Sequence, residues 1–495
     1  MLLIIKGHSF RFELENVCRL FLPQEKISVN ENEADILDNE NIIAISELSS
    51  NDKEWLLNTK LVYGGSQDTA IERVLKAEKG AGDDLERRLA VQLYYSFVKL
   101  TGFTLPWGAV TGVRPVKLMR RLIKEQGNEE AVRWFRDALL VSNDKTSLCL
   151  DTLNVENDIL SLSRRESFSL YISIPFCPSR CDYCSFVSHT VERAAKLIPQ
   201  YVDCLCSEIE YTGQIAKNIG LRLETVYMGG GTPTTLNAEQ LHRIFDAIEK
   251  SFDLSFLREY TVEAGRPDTV TQEKLHAIWG AGVTRISINP QTLNNNVLKE
   301  IGRRHTAEQF YDAFSLARKC GFININTDLI AGLPGDNPKS FSNTLEGIFK
   351  LSPESVTVHT LAMKRASNFV KHRRENYSGG LQSAQMVNTS IERLKEEGYR
   401  PYYLYRQSKT LGGTENTGWS KPGFEGLYNV YIMDETHTIL ACGAGAVTKL
   451  IHPDTEYLKR VFNYKFPYEY NSRFDDMIQR KGQVISFYET LFSKT

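Results

Sequence analysis

Residues 171–186 read YISIPFCPSRCDYCSF. The run Tyr171–Ile174 has strand character and stops at Pro175, which has no backbone N–H with which to continue a ladder. The loop beyond it delivers Cys177, Cys181 and Cys184, separated by three and then two residues. Thiolates crowded on one short loop repel one another unless a metal centre neutralises them. Soft sulfur ligands suit an iron–sulfur cluster or zinc. A structural zinc site wants four ligands, and His189 is a candidate for the fourth. Against zinc, no second paired C-x-x-C accompanies the loop. Three small buried thiols are the plainest alternative. A cluster held by three cysteines leaves one iron open to a further ligand.

The cysteine loop follows the first of six short β-rich runs between about residues 166 and 367. The runs are Ser169–Ile174, Thr225–Met228, Glu259–Glu263, Arg285–Ile288, Asn324–Ile330 and Ser355–Thr360. Helical patterns lie between them, among them Ala238–Ser251 and Ala307–Cys320. This alternation predicts βαβ units, a parallel sheet and an α/β fold class. Six units imply an incomplete (β/α)6 barrel. In such folds functional side chains gather where strands end and loops begin.

Two regions flank the barrel. Residues 1–165 read as an α/β extension of their own. MLLIIKGHSF opens on a short buried strand, and a helix is expected near Phe10–Phe21 and a β piece at Asn41–Ser46. Leu85, Leu89, Leu93, Phe97 and Leu100 recur at helical spacing before Gly102, and a basic helix VKLMRRLIKEQG follows the loop PWGAVTGVRP. Residues 368–495 read as an α+β region. It opens on the basic stretch KHRREN, and two strands are expected at Pro401–Tyr405 and Leu427–Met433.

Bulk composition narrows the function classes. Lys and Arg total 59 against 61 Asp and Glu, a net charge of −2. No basic field of the kind that binds nucleic acid is present. No stretch reaches the roughly 20 apolar residues of a membrane span. The opening residues lack a basic leader and a cleavage site, so a cytoplasmic protein is expected. Nine cysteines without an export signal argue against a disulfide framework. Cys204 and Cys206, two apart on a predicted helix, diverge and make poor joint ligands.

Further motifs follow the cysteines in a set order. GGGTPT (229–234) succeeds the strand TVYM, and its glycines permit close backbone approach to a ligand. TVEAGRPDT places Glu263 at a strand end, RISINPQT places Asn289 and Gln291 on the functional rim, and NTDLIAGLPGD carries Asp328 within an apolar strand. A buried acid there needs a partner. Arg285 reads as a solvated strand end, and Arg304 and His305 as a solvated turn.

Together these motifs resemble the radical S-adenosylmethionine (SAM) enzymes. Over residues 166 to 450 they resemble the oxygen-independent coproporphyrinogen III oxidase family, HemN-like, and with the N-terminal extension and the PWGAVTGVRP loop the chain looks like its HemZ branch. The resemblance implies a [4Fe–4S] cluster on Cys177, Cys181 and Cys184, with SAM chelating the open iron. It implies cofactor contacts from Gly230, Gly231, Thr232, Glu263, Gln291, Arg303, Asp328 and Ile330. Tyr171, Glu263 and Arg303 match residues beside the reacting cofactor. The implied reaction takes a hydrogen atom from a propionate side chain of coproporphyrinogen III; loss of carbon dioxide and one electron then leaves a vinyl group, giving protoporphyrinogen IX. The electron comes from an external low-potential donor such as a flavodoxin or ferredoxin, since no second cluster motif or flavin signature is visible.

Two positions depart from that pattern. Phe186 stands where the best-understood oxidases carry a further cysteine, as in the heme-chaperone branch. YNVYIM (428–433) stands where that branch carries H-N-x-x-Y-W, with Tyr428 in place of the histidine. A different tetrapyrrole-processing radical enzyme and a non-catalytic heme carrier stay open beside the oxidase. For a substrate with four propionates, Lys364, Arg365, Lys371, His372, Arg373 and Arg374 are candidate cationic partners; a solvated linker is the alternative. CGAGA (442–446) reads as a point of close backbone packing.

Overall fold

The computed structural model describes residues 1–23, 25–30, 41–78, 80–185, 188–362, 380–407, 409–455 and 457–492. The chain forms two compact units, Met1–Leu150 with Tyr405–Glu415, and Asp151–Leu404 with Asn416–Thr495. The barrel and most of the region after residue 368 thus share one unit. No helix among the described residues is long and apolar enough to cross a membrane.

In the first unit a five-stranded sheet runs in the order Ser28–Asn30, Leu2–Lys6, Ile42–Ser50, Glu54–Tyr63, Ser66–Leu75. The apolar opening is the buried strand Leu2–Lys6, parallel to Ile42–Ser50. Helices Arg11–Phe21 and Leu85–Thr101 contribute Leu14, Val17, Leu89, Leu93 and Phe97 to one core with Leu3 and Leu61. Gly102 ends the second helix in the left-handed conformation, its N–H on the Val98 carbonyl.

In the second unit six strands succeed one another: β1 (Ser167–Ile174), β2 (Arg222–Gly230), β3 (Glu259–Glu263), β4 (Arg285–Ser287), β5 (Ile325–Ala331) and β6 (Ser355–Thr360). Each pairs parallel with the next. This is the partial barrel that the alternation predicts. Among the described residues the sheet continues past both ends, to eleven strands. β1 pairs parallel with Thr438–Cys442, and β6 antiparallel with Glu415–Ser420. The helices Ala238–Ser251 and Ala307–Lys319 each start at a capping box, Asn237 with Gln240 and Thr306 with Gln309.

Strand register builds the barrel interior. Tyr171 pairs with Tyr227, Glu263 with Ser287, Ser287 with Asn326, and Asp328 with Thr357. Side chains alternate faces along a strand. One face therefore carries Tyr171, Tyr227, Glu263, Arg285, Ser287, Asn326, Asp328, Thr357 and His359. The opposite face carries the buried Ile172, Met228, Val262, Ile286, Leu329 and Val358. The polar stripe lines the inside, and the apolar face meets the helices.

Three sequence expectations are corrected. Leu427–Met433 is not a strand but the start of the helix Leu427–Asp434. Its aromatic and branched residues favour a strand locally. The Glu259 carboxylate of β3, however, accepts from the Leu427 N–H at 2.5 Å and the Tyr428 N–H at 3.3 Å. A carboxylate at a helix N-terminus satisfies its orphan donors, and this one comes from 168 residues away. Arg285 is not solvated but 1% exposed, donating to Ser355 Oγ and Tyr402 Oη. His305 is likewise buried, whereas Arg304 is exposed as expected.

Candidate active site at the strand ends

The three cysteines follow β1, Cys177 in the two-residue strand Phe176–Cys177, which pairs parallel with His189–Thr190, and Cys181 and Cys184 in the loop beyond it. Cys181 is buried, and Cys177 and Cys184 are half-buried. Among the described residues no three His, Cys, Asp or Glu side chains stand ready as a metal-binding group. His189, the candidate fourth ligand of a zinc site, donates its backbone N–H to Pro175 and meets Phe466 edge-on at 6.0 Å, and its buried ring Nε2 has no hydrogen-bond partner. Phe186 and the basic residues from Lys364 to Arg374 lie outside the described residues.

The glycine loop is fastened to the approach to the cysteines. The N–H of Gly231 donates to the Ile174 carbonyl and that of Thr232 to Phe176, both at 2.7 Å. A Cβ at Gly231 would lie 2.6 Å from the Phe176 oxygen, so only glycine fits. Gly230 has φ +103°, the left-handed region that favours glycine. Thr232 Oγ1 reaches the Cys177 sulfur at 3.5 Å. β2 thereby lays a tight backbone cradle beside the first cysteine.

Below the cradle lies an aromatic and acidic cluster. The Tyr171 ring stacks near Tyr227 and Tyr428, at 6.3 and 6.1 Å, and Tyr227 and Tyr428 stack at 4.5 Å. Tyr227 Oη donates to Glu263 Oε1 at 2.5 Å. Burial, with the nearby Asp328 charge, pushes the Glu263 carboxyl up to about 7; the Tyr227 hydrogen bond opposes the rise. Burial also acts to raise Asp328, but His359 and hydrogen bonds from Asn326 and Thr357 outweigh it and hold its carboxyl below the usual value. Asn326 Nδ2 donates to Asp328 Oδ1 at 2.7 Å, and His359 Nε2 stands 3.9 Å from Oδ2. Two acids on one wall are thus pushed apart in acidity. Ile330, two residues on, is buried on the same face.

The rim after β4 is strained and under-satisfied. Gln291 has φ +69°, uncommon for a residue with a side chain. It is pinned by its N–H on the Asp328 carbonyl (2.9 Å) and its own carbonyl on the Ile330 N–H (3.0 Å). Its buried Oε1 has no hydrogen-bond partner, nor has Arg303 Nε. The Arg303 guanidinium donates to the Asn289 carbonyl at 2.9 Å and to Tyr183 Oη at 3.0 Å, tying the rim to the cysteine loop. His305 sits beside Arg303 and Arg266. Burial first, then these two cations, lowers its pKa to about 3, so the ring is neutral.

The radical SAM superfamily model matches residues 171–348, from β1 into the helix before β6. The chain is 40% identical to the oxygen-independent coproporphyrinogen-III oxidase-like protein HemZ of Bacillus subtilis (strain 168), over 80% of this chain and 79% of that protein. The chain belongs to the radical SAM, oxygen-independent coproporphyrinogen III oxidase-like family. It is also 32% identical to the heme chaperone HemW of Lactococcus lactis subsp. lactis (strain IL1403), over 64% of this chain and 79% of the chaperone. In fold it is similar to the solved coproporphyrinogen III oxidase HemN of Escherichia coli, with a TM-score of 0.51 at 23% identity over 66% of this chain and 73% of that one.

Membership of the radical SAM family implies a [4Fe–4S] cluster and SAM, and the residues present fit both. The donor set is three soft thiols on one loop. Gly231 lets the glycine loop pack directly on the Ile174–Phe176 backbone that leads to the first cysteine, where a Cβ would clash. Gln291 Oε1 and Arg303 Nε are buried polar atoms that a polar cofactor would satisfy. Sequence reasoning overlooked Tyr227 and Arg266, both inside motifs it quoted. Tyr227 was legible only as part of an apolar strand. Its hydrogen bond to Glu263 follows from the pairing of β2 with β3.

Proposed function

We propose that this radical SAM protein oxidatively decarboxylates propionate side chains of coproporphyrinogen III to vinyl groups. One observation carries the reading. The thiol loop, the glycine cradle and the Glu263–Gln291–Arg303–Asp328 rim lie at the strand ends of the barrel, in a chain 40% identical over 80% of its length to a coproporphyrinogen-III oxidase-like protein. When bound, the reduced cluster and SAM supply a deoxyadenosyl radical that takes a hydrogen atom from the substrate.

The chain's own groups bind, orient and exclude water. Thr232 and the Gly230–Gly231 backbone hold the amino-acid end of SAM beside the cysteines. Gln291 and Arg303 supply their unpartnered atoms to its polar groups. Asp328, ionised and backed by Asn326 and His359, accepts from ribose hydroxyls, while Ile330 covers the adenosine. Glu263 stands at the threshold of ionisation, raised by burial against the opposing hydrogen bond from Tyr227. The stacked Tyr171, Tyr227 and Tyr428 rings fill the barrel beneath and keep water from a reactive carbon. An external low-potential donor of the flavodoxin or ferredoxin type reduces the cluster.

A heme-carrier function is the second reading, favoured by the 32% identity to a heme chaperone. Against it, Tyr428 replaces a histidine in the segment at issue, is 4% exposed and stacks on Tyr227. The deciding experiment is an anaerobic incubation with coproporphyrinogen III, SAM and dithionite, read by mass spectrometry. Loss of formic acid's mass per propionate, with matching deoxyadenosine, is expected. Deoxyadenosine without vinyl product would replace the substrate, and neither product from cluster-loaded protein would leave the carrier reading.

A further inference from the structure

Arg266 follows Glu263 by three residues, on the turn that leaves β3, and is 3% exposed. Its fork is fully directed. Nε and Nη2 donate to the two oxygens of Asp268 at 3.0 and 3.1 Å. Nη1 turns the other way, to Ser179 Oγ at 3.1 Å, the Ser179 carbonyl at 3.5 Å and the Cys181 sulfur at 3.7 Å. Asp268 thus orients a buried cation whose free edge grips the middle of the cysteine loop. Ser179 Oγ in turn donates to the Gly302 carbonyl at 3.1 Å, so the grip extends to the Arg303 segment.

We propose that Arg266, oriented by Asp268, is a positioning residue that clamps the cysteine loop and places an N–H on the Cys181 sulfur. The inference rests on the assignment of Cys181 as a cluster ligand. Two consequences follow from the geometry. The first concerns the metal-free chain, where the clamp restrains the backbone around Ser179 and Arg180. The second concerns the loaded chain. A cation and an N–H donor against a ligating sulfur stabilise the more negative, reduced cluster, because hydrogen bonds to cluster sulfurs and local charge set its potential. The carboxylate of Asp268 neutralises part of that charge but fixes its direction. A lysine has no fork with which to hold Asp268 and the loop together.

The test uses the full chain with Arg266→Gln, Arg266→Lys and Asp268→Asn. In the metal-free state, trypsin cleavage after the exposed Arg180 should quicken about tenfold in Arg266→Gln, the loss of one charge-assisted hydrogen bond, and less in Asp268→Asn. Arg266→Lys should restore little protection. In reconstituted protein, Arg266→Gln should keep its iron while its cluster becomes harder to reduce. At a fixed donor potential the reduced-to-oxidised ratio should fall severalfold, where tenfold corresponds to 59 mV for one electron. The electron paramagnetic resonance signal of the reduced cluster should change shape with it. Wild-type cleavage rates in Arg266→Gln and Asp268→Asn would overturn the clamp, and a wild-type potential in the iron-loaded variants would overturn the sulfur contact. Wild-type protein that binds no iron, but whose Arg180 cleavage responds to these substitutions, would uphold the clamp and overturn the cluster assignment instead.

Discussion

Replacing Tyr227 by Phe deletes one oxygen and leaves the ring stack in place, so it isolates the hydrogen bond to Glu263. That bond is 2.5 Å long and favours the ionised carboxyl, whose pKa burial has raised to about 7. A hydrogen bond to a charged group is worth ~1.5–3 kcal/mol, so its loss raises the Glu263 pKa by about one to two units. Near pH 7.5 a rise of about 1.5 units lowers the ionised fraction roughly eightfold. If ionised Glu263 contacts SAM, affinity for SAM climbs with pH through a midpoint near 7 and levels off above about 8 in the wild type. In Tyr227→Phe the same climb is displaced to higher pH, and the two proteins converge near pH 9 to 10. Calorimetric titration of reconstituted protein across this range reads the displacement. Glu263→Gln supplies the background, since it cannot titrate and retains only the pH dependence of the cofactor's own amine. An unchanged midpoint in Tyr227→Phe, or a wild-type profile in Glu263→Gln, would refute the coupling.

Alanine at Cys177, Cys181 or Cys184 should abolish the cluster of about four iron and four sulfide, whereas Cys204→Ala should retain it; iron retained in all three variants would remove the ligand assignment. Asp328→Ala should weaken SAM binding about ten- to a hundredfold with iron content unchanged, the cost of one charge-assisted hydrogen bond, and equal calorimetric affinity would discard the contact. Glu208 and Lys481 form a buried ion pair at 2.9 Å, 0% and 3% exposed, and Glu208 also accepts from the Gly443 N–H and Tyr470 Oη. Lys481→Met should therefore destabilise the fold by ~3–5 kcal/mol by stranding the carboxylate, read as a lowered denaturant midpoint; a wild-type midpoint would show the carboxylate to be satisfied without its cation.

The sequence alone determined the order of the barrel and where its chemistry would fall. Alternating β and helical patterns set the six strands, Glu259–Glu263 and Ser355–Thr360 to the residue, and Ala238–Ser251 emerged with its expected ends. The cysteine spacing, GGGTPT and the acids at strand ends were likewise readable, because these signals are local: periodicity, a loop after a strand, a glycine where no Cβ fits. CGAGA also behaves as its small residues suggest, with Gly443 pressed 2.5 Å, in Cβ terms, against the Ser173 carbonyl. Tertiary structure alone decided which faces met. Arg285 and His305 are polar residues along the chain, yet folding buries both, Arg285 against Ser355 and Tyr402 from other strands and His305 beside Arg303 and Arg266. Leu427–Asp434 became a helix because a distant Glu259 caps it. Tyr227 acquired its role through register, which brings Glu263 within hydrogen-bond reach, and Arg266 through the packing of the turn after β3 on Ser179 and Cys181. Local sequence carries propensity and spacing, but burial and pairing across the sheet are sums over the whole chain, and only the folded molecule evaluates them.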